Sequence, residues 1–109
     1  MSEEQIEKYR EMSVKFIENN RIELFRIYLQ HSKLSDNVDN SGILVINFFE
    51  VESKNKVDVS YVPMNILDID IVEKINERKE NNDENIIYFF LITPYEEKII
   101  EIDIRTLSI

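Results

Sequence analysis

Carboxylates are the one residue class in this chain abundant enough to suggest a chemistry. Of 109 residues, 22 are Asp or Glu. Asp68, Asp70 and Glu73 stand close together in sequence, and Glu101 and Asp103 fall on one side of an extended stretch. Oxygen-rich sets of this kind suit Mg²⁺ or Ca²⁺, so one reading is a carboxylate-based metal-dependent enzyme. Glu-x-Lys triplets of the nuclease type occur at Glu52-Ser53-Lys54, Glu77-Arg78-Lys79 and Glu96-Glu97-Lys98. Three copies are what chance supplies in a chain so rich in Glu and Lys, and a nuclease wants a basic surface where this chain is acidic.

Other site chemistries lack their residues. Nucleophilic mechanisms of the Ser/His/Asp or Cys/His kind need an imidazole beside a nucleophile. His31 is the single histidine, and there is no cysteine. That leaves no ordinary zinc site and no disulfide framework. His31 stands near the end of the expected first helix, where a histidine interacts well with the helix dipole. A single glycine, Gly42, leaves no glycine-rich phosphate loop. The expectation is a non-enzymatic protein without a cofactor.

The charge is unevenly placed. The net charge is −9. Residues 1–33 hold six acids and six bases and are neutral, so the remainder carries the whole excess. A field of that sign repels phosphates and anionic membranes and attracts basic partners. Direct nucleic-acid binding is not expected, because no basic patch with interleaved aromatics is present. No apolar run approaches the roughly 18 residues of a membrane span. The acidic start, Met1-Ser2-Glu3-Glu4-Gln5, is unlike a secretory leader. The sequence thus reads as one cytoplasmic domain over residues 1–109. The absence of alanine and tryptophan, with many Ile, Asn, Glu and Lys, points to a low-GC source.

The elements that must position these residues are legible in the hydropathy. Ile86-Ile87-Tyr88-Phe89-Phe90-Leu91-Ile92-Thr93 is apolar almost throughout, the mark of a strand covered on both faces. After Pro94-Tyr95, residues 98–105 alternate, with Ile100, Ile102 and Ile104 on one side and Glu101, Asp103 and Arg105 on the other. The same plan appears earlier. Ile43 to Val51 is apolar on both sides, Glu52 to Asn55 is a turn, and Lys56 to Val62 alternates. Ser2 with Gln5 resembles a capping box, and the spacing from Ile6 to His31 predicts a long helix, single or kinked near Asn20, with two helices meeting there, Asn20 and Glu23 as a second capping pair, as the alternative. Its second half, apolar round most of its circumference, is expected to be the more deeply buried. Residues 34–41 read as loop. Ile66, Ile69, Val72 and Ile75 predict a second, short helix from about Asp68 to Lys79, with Asp68 as its cap.

The fold class is therefore α+β, in the order α-β-β-α-β-β. Two helices pack on one face of a four-stranded antiparallel sheet whose central strands are the two apolar ones. The sheet order is second, first, third, fourth, with the first and third strands antiparallel. Leaving one face of those strands open would forgo about 1.5–3 kcal/mol per side chain. Either the two helices cover opposite faces, or a second subunit or a protein partner covers one of them.

The leading functional reading is a small acidic inhibitor that blocks a basic, phosphate-binding surface of a protein partner. Toxin-immunity and phage anti-defence proteins are its analogues in size and charge. The expected contact residues are Asp58, Asp83, Glu84, Glu96, Glu97, Glu101 and Asp103, with Tyr61 and Tyr95 as aromatic anchors. The alternative is a homodimeric chaperone or adaptor that uses an apolar sheet face.

Overall fold

The computed structural model describes residues 2–34 and 42–107. Three helices and a four-stranded mixed sheet give an α+β fold, with α1 (Glu3–Asn19), α2 (Arg21–Leu34), β1 (Gly42–Val51), β2 (Lys54–Pro63), α3 (Ile69–Asn81), β3 (Ile86–Ile92) and β4 (Glu97–Asp103) in chain order. The expected loop over 34–41 lies, from residue 35 on, outside the described residues.

Ser2 starts α1, its hydroxyl accepting the Gln5 N–H at 3.3 Å. Asn20 then breaks the expected long helix into two. Its side-chain amide donates to the Phe16 carbonyl at 2.8 Å, and its own N–H returns to Phe16 and Ile17. Its carbonyl accepts from Leu24 and begins α2. A short amide side chain competes for the carbonyls that would continue the helix, so the chain turns without proline or glycine. As expected, α2 is the more buried half, with Phe25, Ile27 and Tyr28 packed against the core. Leu24 is buried, but Ile22 and Leu29 are exposed.

The sheet order is β2-β1-β3-β4, with the two apolar strands central. The expected antiparallel pairing of those strands is overturned. β1 and β3 are parallel, with Leu44 opposite Phe89 and Ile46 opposite Leu91. The register gives the reason. Gly42 is opposite Pro63, and Ile86 precedes Phe89 by three residues. β2 therefore ends, and β3 begins, at the same end of the sheet. Residues 64–85 go out and back across one face rather than travelling its length once. Both central strands are covered on both faces, as parallel pairs generally are.

The helices are not all on one face, and the alternative holds: they cover opposite faces of the sheet. Tyr9 of α1 and Leu24 of α2 pack on Leu44, Ile46, Phe48, Ile87, Phe89, Leu91 and Ile102. Ile75 of α3 packs on Ile43, Val45, Tyr88 and Phe90 on the opposite face. The isoleucines at three-residue spacing predict α3 but not its inward face. Each three-residue step rotates about 60° backward on a 3.6-residue helix, and the core ridge is Ile71 and Ile75. Ile66 and Ile69 are left 71% and 66% exposed.

Asp68 caps α3 by accepting the Asp70 N–H at 3.2 Å. Tyr88 fastens its far end, donating its hydroxyl proton to the Arg78 carbonyl and accepting from the Asn82 amide, both at 3.1 Å. No helix among the described residues is long and apolar enough to cross a membrane.

Candidate functional site

The nine contact residues expected from the sequence are distributed over both outer strands and two loops. Glu96, in the turn between β3 and β4, is gripped by Arg10 of α1. Arg10 Nε lies 3.0 and 3.1 Å from its two carboxylate oxygens, an Nη2 bond adds to these, and Lys98 stands at 3.6 Å. The Arg10 hydrogen bond holds the Glu96 carboxyl below the usual carboxylate range. Glu101 pairs with Arg78 of α3 at 3.5 Å and accepts from Asn82 at 3.2 Å. Arg105 joins Asp103 at 2.7 Å and Asp83 at 3.1 Å. Its hydrogen bonds, from side chain and backbone, lower the Asp103 carboxyl to about 2.

These four carboxylates thus link elements within the chain. Glu96 ties α1 to the β3–β4 turn, Glu101 ties α3 to β4, and Asp83 and Asp103 tie the loop before β3 to the end of β4. Asp58, Glu84 and Glu97 are exposed and enter no ion pair among the described residues. Asp58 lies on one outer strand and Glu97 on the other, with the two central strands between them.

The two tyrosines are half-buried. Tyr95 meets Tyr9 edge-on, with ring centroids 5.6 Å apart. Burial, then the charge of Glu50, pushes the Tyr9 phenol up. Tyr61 stacks flat on His31 at 4.7 Å, and its hydroxyl accepts the Gly42 N–H at 2.8 Å.

A surface that sequence reasoning passed over emerges on α3. Asp70, Glu73, Glu77 and Glu80 recur at i, i+3, i+7 and i+10, which places them within about 80° of the helix circumference. That arc lies opposite Ile71 and Ile75, and all four side chains are exposed. None of the four enters an ion pair among the described residues. On α1, Glu3, Glu4 and Glu11 are likewise exposed and enter no ion pair among the described residues, but they do not form one continuous stripe. On α1 and α2, Glu7, Glu18 and Glu23 each have an arginine three residues on, at 3.6 to 3.7 Å. Along the α3 stripe, Asp70–Glu73, Glu73–Glu77 and Glu77–Glu80 are like-charge neighbours that each cost a helix about 0.2–0.5 kcal/mol, offset in part by Lys74, four residues after Asp70. The signal was present as a second periodicity, hidden behind the apolar one. The exposed Ile66 and Ile69 stand at the start of the stripe.

A cleft of about 520 Å³ opens at the end of the sheet where β1 and β3 begin, lined by Tyr28, Tyr61, Lys79 and Tyr88 among others. The hydroxyls of Tyr61 and Tyr88 are already committed to Gly42, Arg78 and Asn82. No group of three His, Cys, Asp or Glu side chains among the described residues is placed to hold a metal ion. Asp68 and Asp103 are instead occupied with backbone N–H groups and Arg105. No family model, no curated protein and no solved structure matches this chain.

Proposed function

We propose that this chain is a small acidic binding protein that blocks a basic, phosphate-binding surface of a partner protein, with α3 as its contact element. The observation that carries the reading is the carboxylate stripe of Asp70, Glu73, Glu77 and Glu80, exposed and without an ion pair among the described residues. It costs the helix stability through like-charge repulsion, and a basic partner relieves that cost on binding. A helix carrying carboxylates about a turn apart offers a row of charges to a groove shaped for phosphates. The field of the whole chain, at −9, speeds the encounter. Ile66 and Ile69 supply an apolar anchor beside the charges. Asp58, Glu84 and Glu97 remain outlying acids that contribute to steering.

The test is a paired capture from extracts of the source cell. Wild type and a Glu73→Lys/Glu77→Lys variant are immobilised side by side. The expected result is a basic protein retained by the wild type, eluted by salt and lost from the variant. Its affinity, measured with the purified partner, falls about tenfold or more when salt is raised from low to physiological levels. A partner held equally by both forms, or with an affinity indifferent to salt, overturns the reading.

A further inference from the structure

The outer edge of β2 is open, and its parity can be fixed from two points. Val51 and Lys54 flank the two-residue turn of Glu52 and Ser53, both of which have positive φ. Residues flanking such a turn exchange hydrogen bonds, and bonded and non-bonded pairs then alternate along the ladder. The even residues of β2 therefore bond to β1, and the odd residues turn their N–H and C=O groups outward. Pro63, which has no N–H, falls at an outward position, as the alternation requires. Asn55, Val57 and Val59 thus present a row of main-chain donors and acceptors that no hydrogen bond among the described residues reaches from outside the ladder, although the Asn55 side chain accepts from the Tyr9 hydroxyl at 3.1 Å.

The other outer edge is treated differently. The Ile104 N–H bonds to the Asn85 carbonyl, so the same alternation turns Ile99 and Glu101 outward on β4. Arg78 crosses from α3 and donates to the Ile99 carbonyl at 3.1 Å. One edge is thus capped by an arginine, while the longer one is not. An exposed edge strand of ten residues is a template for another strand.

The charges on β2 select that strand. Lys56 and Asp58 flank Val57 and are both exposed. When a second copy pairs antiparallel with a twofold axis at Val57, Lys56 of each copy faces Asp58 of the other. Val57 then meets Val57 of the second copy, and Asn55 meets its Val59. The adjacent registers that keep outward groups opposed place Asp58 against Asp58 or Lys56 against Lys56. Like charges directly opposite destabilise a strand pair, and opposite charges support it. The Val57 register also closes about six backbone hydrogen bonds between the copies.

We infer that two copies of this chain associate through β2, antiparallel about Val57, into one continuous sheet of eight strands, four from each copy. A twofold axis normal to the sheet keeps each face on its own side. Both α3 helices then stand on one face of the dimer and both α1–α2 pairs on the other. The inference stands on edge geometry and the Lys56/Asp58 pair, and is independent of what α3 binds.

Sedimentation velocity on the full chain, from low to high micromolar, tests it with three variants. The wild type is expected to sediment as a dimer at the upper end. Lys56→Asp and Asp58→Lys, each folded by circular dichroism, are expected to raise the dissociation constant about tenfold or more, because each turns two attractive pairs into repulsive ones. The double exchange Lys56→Asp/Asp58→Lys is expected to restore wild-type association. A wild type that stays monomeric throughout overturns the inference. So does a dimer unmoved by the single exchanges, or one that the double exchange fails to restore.

Discussion

Gly42 and Tyr61 lie side by side, one donating and one accepting, with no space for a side chain between them. The Gly42 N–H reaches the Tyr61 hydroxyl at 2.8 Å. A Cβ on residue 42 would stand 2.6 Å from Tyr61 Cε1 and 2.6 Å from the Val62 carbonyl oxygen. The chain's single glycine is therefore kept for close approach, since the backbone here has no positive φ at a glycine. Gly42→Ala is expected to destabilise the fold by about 1–3 kcal/mol, as overpacking does. Tyr61→Phe removes only the hydrogen bond and is expected to cost about 1 kcal/mol. Urea unfolding of the two variants should rank them in that order.

The β1–β2 turn offers the opposite change. Glu52 and Ser53 have φ of 50° and 65°, a conformation that suits Asn and Gly far better. Glu52→Asn/Ser53→Gly is expected to raise stability by about 0.5–1 kcal/mol with no change in fold. A thermal midpoint that moves up by a few degrees is the readout.

Burial separates the isoleucines of α3. Ile75 is fully buried against Tyr88 and Phe90, whereas Ile69 faces solvent. Ile75→Ala is expected to cost about 2–5 kcal/mol through the cavity it leaves. Ile69→Ala should fall within about 0.5 kcal/mol of wild type. Equal losses at the two positions would mean that α3 is rotated from the orientation described.

Asp103 sets an acid limit. Arg105 holds its carboxyl at about 2, against an ordinary value of 3.8. A depressed carboxyl contributes stability that is present above its unfolded value and is lost as pH falls through its folded one. Here the window runs from about pH 4 down to about 2. Asp103→Asn keeps the cap oxygen for the Arg105 N–H but not the charge. The difference in unfolding midpoint between wild type and this variant is expected to be constant from pH 5 to 8 and to shrink between 4 and 2. The group is near the surface, so added salt should reduce the difference at every pH.

Much of the fold was written in hydropathy, and the departures have physical causes. The apolar runs around Ile46 and Phe89 became the central strands because both their faces are covered by helices of the same chain. The direction of β3 relative to β1 was not legible, because strand composition is the same whichever way a buried strand runs. It depends on the out-and-back path of residues 64–85. At Asn20 the sequence shows an interrupted stripe but does not decide between a kink and a break, because the chain turns through capture of the Phe16 carbonyl by the Asn20 amide and not through proline or glycine. Among the candidate contact residues, Glu96 looked like a free turn carboxylate. Its arginine lies 86 residues away in sequence, at Arg10, beyond the reach of any local pattern. The α3 stripe is readable at helical spacing, but the isoleucines that share the helix give the stronger periodic signal.

The parallel seam between β1 and β3 has a kinetic consequence. The β1–β2 and β3–β4 hairpins each close over a short loop and form within microseconds in isolation. The seam joins Leu44 to Phe89, the longest-range pairing in the sheet, and closing it carries the loop-closure entropy of the whole intervening chain. The chain therefore assembles as two fast halves joined by one slow closure. Until that closure, Ile46 and Leu91 lie on apolar strands that each have one open edge. This is the interval in which the protein is most exposed to self-association during folding.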